Sequence, residues 1–148
     1  TEEGLKQADE VIEQSGVADK VLVVYLPGLH ESLAGIVAGR VKEKYYKPVF
    51  VVTDGKEGMK GSARSIPEYH IYDAMTEVKD VFSKYGGHAM AAGFSVKDGM
   101  LEEFRKRINE NCRLEPQDFE RKVVIDVALN MNYTYSIEEL WLNPYNVS

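Results

Sequence analysis

An α/β domain with a mixed β-sheet flanked by helices is what this sequence predicts, on three observations. Strand-like and helix-like segments alternate through most of the chain. Two nearly continuous runs of β-formers, Lys20–Leu26 and Pro48–Thr53, stand on either side of a helical pattern, as strands covered on both faces do. A glycine-marked reversal, Asp54-Gly55 with Gly58, then folds the chain back on itself as a hairpin.

In order, residues 2–15 place Leu5, Ala8, Val11 and Ile12 at helical spacing and stop at Ser15-Gly16. Lys20–Leu26 reads as a central strand closed by Pro27-Gly28. A helix follows from Glu31 or Ser32 to about Tyr45, with Ser32 as candidate N-cap. Gly35 and Gly39 share one of its faces, each costing about 1 kcal/mol against alanine, so the expectation is close packing of both on the sheet. Past the Pro48–Thr53 strand and the turn comes Met59–Ser65, an unusually small and polar strand around one long residue, Arg64. Ile71, Ala74, Met75, Val78, Val81 and Phe82 predict a helix from about Tyr69 to Tyr85, capped by Gly86-Gly87. Ala91–Val96 reads as a strand, and Asp98 as the cap of a helix to about Asn111 with Leu101, Phe104 and Ile108 inward. Residues 113–121 read as a polar linker, 123–129 as a further strand, and 136–142 as a short helix opened by Ser136 and Glu139.

Bulk composition bounds the function. At 44% hydrophobic and 28% charged residues, the chain describes one ordinary globular domain. Roughly 150 residues bury about 70% of their unfolded surface, enough for a core without staples. A single cysteine, Cys112, excludes an internal disulfide and points to a reducing, cytoplasmic setting. No apolar run nears the roughly 20 residues that span a bilayer, so no membrane partner is expected. The N-terminus has no initiator methionine and no signal-peptide character, and both ends read as cut from a longer protein. Net charge −6 argues against a surface that wraps duplex nucleic acid. The charge is uneven, however: Ile36–Ile66 holds seven Lys/Arg against three Asp/Glu, between two acidic flanks. A basic segment on an acidic body suits a site for a local anion.

The chemistry-bearing stretch is Tyr85-Gly86-Gly87-His88-Ala89-Met90-Ala91-Ala92-Gly93-Phe94. Two readings of it stand open. In one, the glycines cap a helix and small residues pack behind them. In the other, the bare Gly86 and Gly87 amides form an anion-binding concavity, with His88 beside it as a phosphate stabiliser. Arg64 likewise is either an exposed arginine on an edge strand or a planar fork offered to phosphate oxygens. His30 follows a buried strand, where α/β sites form. Arg40 is a weaker candidate on the basic helix, whose Lys42 and Lys44 read as solvated. His30, His70 and His88 are too far apart in sequence for a metal cluster. No nucleophile elbow and no Walker loop occurs. Residues alone thus offer an anion grip and no hydrolytic centre.

Gly86-Gly87-His88-x-x-Ala91-Ala92-Gly93 resembles the signature of the DHH-associated domain, the second domain of the DHH phosphoesterase superfamily. With Gly61-Ser62-Ala63-Arg64-Ser65-Ile66 upstream, and His30, Gly35–Arg40 and Tyr45-x-Lys-Pro48 before that, the pattern resembles the RecJ-type single-stranded-DNA exonucleases. The resemblance implies a DHH-associated domain fold over 20–112, a helical interdomain linker at 1–19, and at 113–148 the approach to an OB-type domain. It implies a parent enzyme that degrades single-stranded DNA from the 5′ end in repair and recombination. Mn2+ or Mg2+ would be held by a preceding DHH domain, so this segment would bind no metal and be inactive alone. Arg64, Gly86, Gly87 and His88 would grip substrate phosphates, with Ser62, Ser65, Arg40 and His30 in support. The alternative is the substrate-binding domain of a DHH-family oligoribonuclease or small-nucleotide phosphoesterase.

Overall fold

The computed structural model describes residues 2–15 and 18–119. Its elements are α1 (Glu2–Ser15), β1 (Leu22–Tyr25), α2 (Ala34–Tyr45), β2 (Val49–Gly55), β3 (Gly58–Arg64), α3 (Ile71–Glu77), β4 (Phe82–Gly87), β5 (Ala91–Val96) and α4 (Leu101–Glu110). The strands form one five-stranded sheet in the order β1-β2-β3-β5-β4. β1 and β2 are parallel, joined through α2, and the remaining neighbours are antiparallel, so the α/β class with a mixed sheet is borne out. The strand and short helix expected at 123–129 and 136–142 lie outside the described residues.

Alternation along the strands sends side chains to two separate cores. Leu22, Val24, Val49 and Val51 meet Ala8 and Ile12 of α1 and Ala34, Val37, Ala38 and Val41 of α2. Val23, Phe50, Val52, Ala63, Phe94 and Val96 meet Ile71 and Met75 of α3 and Phe104 and Ile108 of α4. The second core is built around rings: Phe50, Phe82 and Phe94 surround Phe104, with centroids 4.9, 5.1 and 6.2 Å from it.

Four expectations are corrected. β1 lies at the sheet edge, not its centre. Its apolar run reflects cover on both faces, while its open edge is plugged by α4 side chains. Asn109 accepts from the Val21 amide at 2.9 Å and donates to the Val21 carbonyl at 3.1 Å, and Arg105 donates to the Val23 carbonyl at 3.0 Å. α2 is entered through a 3-10 turn, Glu31–Leu33, whose capping acceptor is His30 rather than Ser32: His30 Nδ1 takes the Ser32 amide at 3.1 Å. α4 is preceded by Met100 with no side-chain cap, so Asp98 does not cap it. The largest change concerns 69–85. The helix stops at Glu77, a 3-10 turn covers Lys79–Val81, and the chain continues as β4. Val78, Val81 and Phe82 still face the core, since a spacing of three serves a 3-10 turn as well as an α-helix.

Candidate functional site

β3, β5 and β4 have one filled face and one bare face. The filled face carries Ala63, Phe94, Val96, Phe82 and Ala92 into the ring-rich core. On the opposite face the register lines residues up in three rows. Lys60 pairs with Ser95 and Ser95 with Lys84; Ser62 pairs with Gly93 and Gly93 with Gly86; Arg64 pairs with Ala91. The third row is completed by His88, whose amide donates to the Ala91 carbonyl at 2.9 Å. Strand geometry spaces successive rows about 7 Å apart and spans about 10 Å from β3 to β4. The patch is small-residue in the middle and basic at its corners.

Arg64 sits in the interior of the sheet, on the strand between β2 and β5, and not on an edge. Its Nη1 donates to the Ala63 carbonyl at 2.8 Å. Its guanidinium lies against α2: a Cβ built on Gly35 would stand 2.8 Å from Nη2 and 3.8 Å from Ser62 Oγ. Gly35 is therefore the gap that lets the fork lie flat beside the helix. Gly39 has open space around it, so the expected close packing holds only for Gly35. Among the described residues Arg64 makes no ion pair with a carboxylate, and it is half-exposed. A guanidinium kept free of carboxylates on a bare patch is available to an outside anion.

Gly86 and Gly87 belong to β4 and do not cap a helix. Successive strand amides point to opposite edges, so the two do not converge as an anion-binding concavity. The residues Ala89-Met90 instead make a tight hairpin tip, tied down by Ile71 N–H to the Ala89 carbonyl and Ser65 N–H to the Met90 carbonyl, both 2.9 Å. Gly87 has φ +151°, and a Cβ there would stand 2.4 Å from the Ala91 carbonyl oxygen. Only glycine lets the strand enter this turn. His88 is exposed at the tip, with Nδ1 3.4 Å from the Met90 amide.

The other candidates divide. Ser62 stands in the middle row, half-exposed. Ser65 is fully buried and donates to the Tyr69 carbonyl at 2.6 Å, so its hydroxyl holds a turn and does not reach the patch. Arg40 lies on the exposed side of α2, one turn beyond Ile36, itself 49% exposed. His30 is exposed at the far end of the patch, where it lines a concavity of about 760 Å³ with Lys56, Lys60 and Lys84. Carboxylates also line this concavity. Glu31 pairs with Lys60 at 3.5 Å, and Asp54 takes the Tyr25 hydroxyl at 2.8 Å, a hydrogen bond that raises the phenol above its ordinary value.

Sequence reasoning missed Lys60, Lys84, Gly93 and Ser95. Their signal was period-two alternation: Lys60-x-Ser62-x-Arg64, Lys84-x-Gly86-x-His88 and Ala91-x-Gly93-x-Ser95. A β-bulge hides it in β4. Phe82 opposes Val96 and Lys84 opposes Ser95, so Ser83 is an extra residue that turns Lys84 onto the bare face while Phe82 stays in the core.

The described residues contain no group of three or more His, Cys, Asp or Glu able to hold a metal ion. Nor do they contain a helix long and apolar enough to cross a membrane.

The fold is an α/β domain whose mixed sheet leaves one face of β3, β5 and β4 bare, with basic residues at its corners. Residues 18–114 match the DHHA1 domain family, and the chain belongs to it. Within that family its relatives are RecJ proteins, as the Gly-Gly-His and Ser-Ala-Arg-Ser stretches had implied. The chain is 36% identical over 117 residues to the single-stranded-DNA-specific exonuclease RecJ of Bacillus subtilis, covering 76% of this chain and 15% of that protein. Against RecJ of Escherichia coli the figures are 35% over 116 residues, 74% and 20%. Among solved structures, RecJ of Thermus thermophilus with Mn2+ superimposes with a TM-score of 0.63 at 30% identity, over 72% of this chain and 16% of that one. The same protein is known with Mg2+. A manganese-bound exonuclease RecJ gives a TM-score of 0.69 at 28% identity, over 83% of this chain and 31% of that one. The chain thus spans 15–20% of the length of these curated relatives.

Proposed function

We propose that this domain holds the phosphate backbone of single-stranded DNA for a RecJ-type 5′→3′ exonuclease of DNA repair and recombination, acting in the cytoplasm. The observation that carries the reading is the bare sheet face, where Arg64, paired with no carboxylate among the described residues, lies between Gly35 and the row leading to His88. In this reading Arg64 and His88 grip one phosphate region from two strands, with Ser62 beside them and Arg40 and His30 at the margins. Fixed donors of this kind neutralise phosphate charge and position the strand, which is most of what a protein contributes to phosphoryl transfer.

In this reading the Mn2+ or Mg2+ chemistry, supported by the metal-bound RecJ structures this chain resembles, belongs to a DHH domain that precedes this one, with an OB-type domain after it. By itself the domain binds and does not cleave. The relatives are single-stranded-DNA-specific exonucleases, which favours this reading over a DHH-family oligoribonuclease or small-nucleotide phosphoesterase.

The test is fluorescence anisotropy of a labelled single-stranded oligonucleotide at low salt. Arg64→Ala is expected to weaken binding about tenfold or more, since hydrogen bonds to charged groups contribute about 1.5–3 kcal/mol. It should also reduce the salt slope by about 0.7, one phosphate contact on a single strand. Affinity unchanged in both Arg64→Ala and His88→Ala would reject the grip.

A further inference from the structure

Strands β3, β4 and β5 hold two kinds of glycine, Gly61 and Gly87 on the filled face and Gly86 and Gly93 on the bare one, and only the first kind is explained by the fold. Gly61 and Gly87 are required internally. A Cβ on Gly61 would lie 1.8 Å from the Val51 carbonyl oxygen, and one on Gly87 would strike Ala91 and Ala92. Gly86 and Gly93 are different. They face each other across β4 and β5, neither has a positive φ, and both are exposed. A Cβ on Gly86 would meet nothing within 4 Å, and one on Gly93 only the Gly61 carbonyl at 3.9 Å. Glycine in a strand interior weakens the strand, and it marks places where another backbone or a ligand approaches closely. No part of the described chain approaches here.

What surrounds this floor gives the occupant its chemistry. A shallow slot of about 320 Å³ is lined by Gly86, Gly93, Ser95, Lys60 and Lys84 together with Gly61, Tyr85 and Phe94, and by no carboxylate. Lys60 and Lys84 flank Ser95 on either side of β5, so two lysines stand at one end of the bare floor, the Lys60 side chain running past Gly55 toward Glu31. Among the described residues Lys84 makes no ion pair, and Lys60 has only Glu31, at 3.5 Å. Along β3 this end lies about 13 Å from Arg64, four residues at strand rise.

We propose that Lys60 and Lys84 form a second phosphate subsite, and that the sugar–phosphate backbone between it and Arg64 lies directly on Gly86 and Gly93. This rests on the reading of the face as a single-strand interface and gives that interface a direction, from the Arg64–His88 row along β3 toward Lys60. The occupant is a further stretch of the same strand. Two lysines bracketing a slot without acids match a polyanion, and side-chain-free strands let its backbone sit close.

The experiment uses this chain and a labelled oligothymidylate octanucleotide, with affinity followed against salt. The Lys60→Ala/Lys84→Ala double variant should bind about tenfold more weakly at low salt, with the slope reduced by about 1.4, two phosphate contacts. Lys79→Ala/Lys106→Ala, the same charge change on the opposite side of the sheet, should leave the slope as it was. Gly93→Val places a side chain on the floor without striking the fold, so melting temperature is expected to hold while binding falls. Unchanged binding in both the lysine and the Gly93 variants, with Arg64→Ala still defective, overturns the second subsite and leaves the first reading standing. Unchanged binding in Arg64→Ala as well overturns both. An equal loss in the Lys79/Lys106 control shows net charge alone, and also overturns the proposal.

Discussion

Gly93 and Phe94 are neighbours in sequence and opposites in environment. Phe94 is 5% exposed and sets its ring edge-on or tilted 5.6 Å from Phe50 and from Phe82, while Gly93 is exposed on a face that no other described residue covers. The same contrast runs through β3, where Ala63 is buried between half-exposed Ser62 and Arg64. One sheet thus performs two tasks through the pleat alone. Its filled face supplies the burial that holds the fold, and its bare face is released from packing to meet something else. Even the arginines divide this way. Arg107, on the helix over the filled face, makes a two-pronged bond to Asp80 at 2.7 and 2.9 Å, whereas Arg64 on the bare face pairs with no carboxylate among the described residues.

Variants on the two faces should accordingly separate stability from binding. Phe94→Ala should give the largest loss of stability, about 3–5 kcal/mol, as a ring is removed from a packed core. Denaturant melts would measure it, and the fraction that remains folded should still bind DNA. Gly61→Ala should cost about 3 kcal/mol, near the upper range for overpacking, because its Cβ meets the β2 backbone. A tolerant Gly61 paired with an intolerant Gly93 would invert the comparison.

The smallest effect concerns Asp80. The hydrogen bonds from Arg107 hold its carboxyl below the ordinary carboxylate range. A depressed folded-state value adds stability above the unfolded value of about 3.9, and that stability is lost as pH falls below it. Asp80→Asn should therefore flatten the acid limb of a melting-temperature profile below about pH 4. DNA binding through Arg64 should not follow that limb.

The apolar runs and the hairpin were legible in the sequence because β-branched residues at Val21–Val24 and Val49–Val52 have no use but a strand in a chain this short. The neighbours of β1 were not legible. Its edge is closed by Asn109, 88 residues away from Val21, and a side chain that stands in for a strand leaves no periodic mark. The residue types of the site, Arg64 and Gly-Gly-His, could be read directly, but their arrangement could not. Met75, Val78, Val81 and Phe82 satisfy helical spacing and also satisfy a 3-10 turn running into a strand, which makes Gly86-Gly87 resemble a cap. Lys84, the last residue but one before that imagined cap, then reads as a solvated helix position. Ser65 escapes sequence reasoning because its hydroxyl satisfies a carbonyl in the turn it sits in, a local use that composition cannot separate from ligand binding.

Ser83 divides β4 into two reading frames. Up to Phe82 the strand spells its inward residues in one phase, and from Lys84 onward it spells them in the other, so that a single added residue sets which letters water sees. Deleting Ser83 would remove the bulge and leave a plain ladder, with Phe82 and Tyr85 still inward and Lys84 and Gly86 still on the bare face. Past the bulge there is no such slack: one residue inserted between Lys84 and Gly86 would turn Gly86 toward the interior. The chemistry of the bare face is in this sense specified by a count, and the bulge is where that count can give.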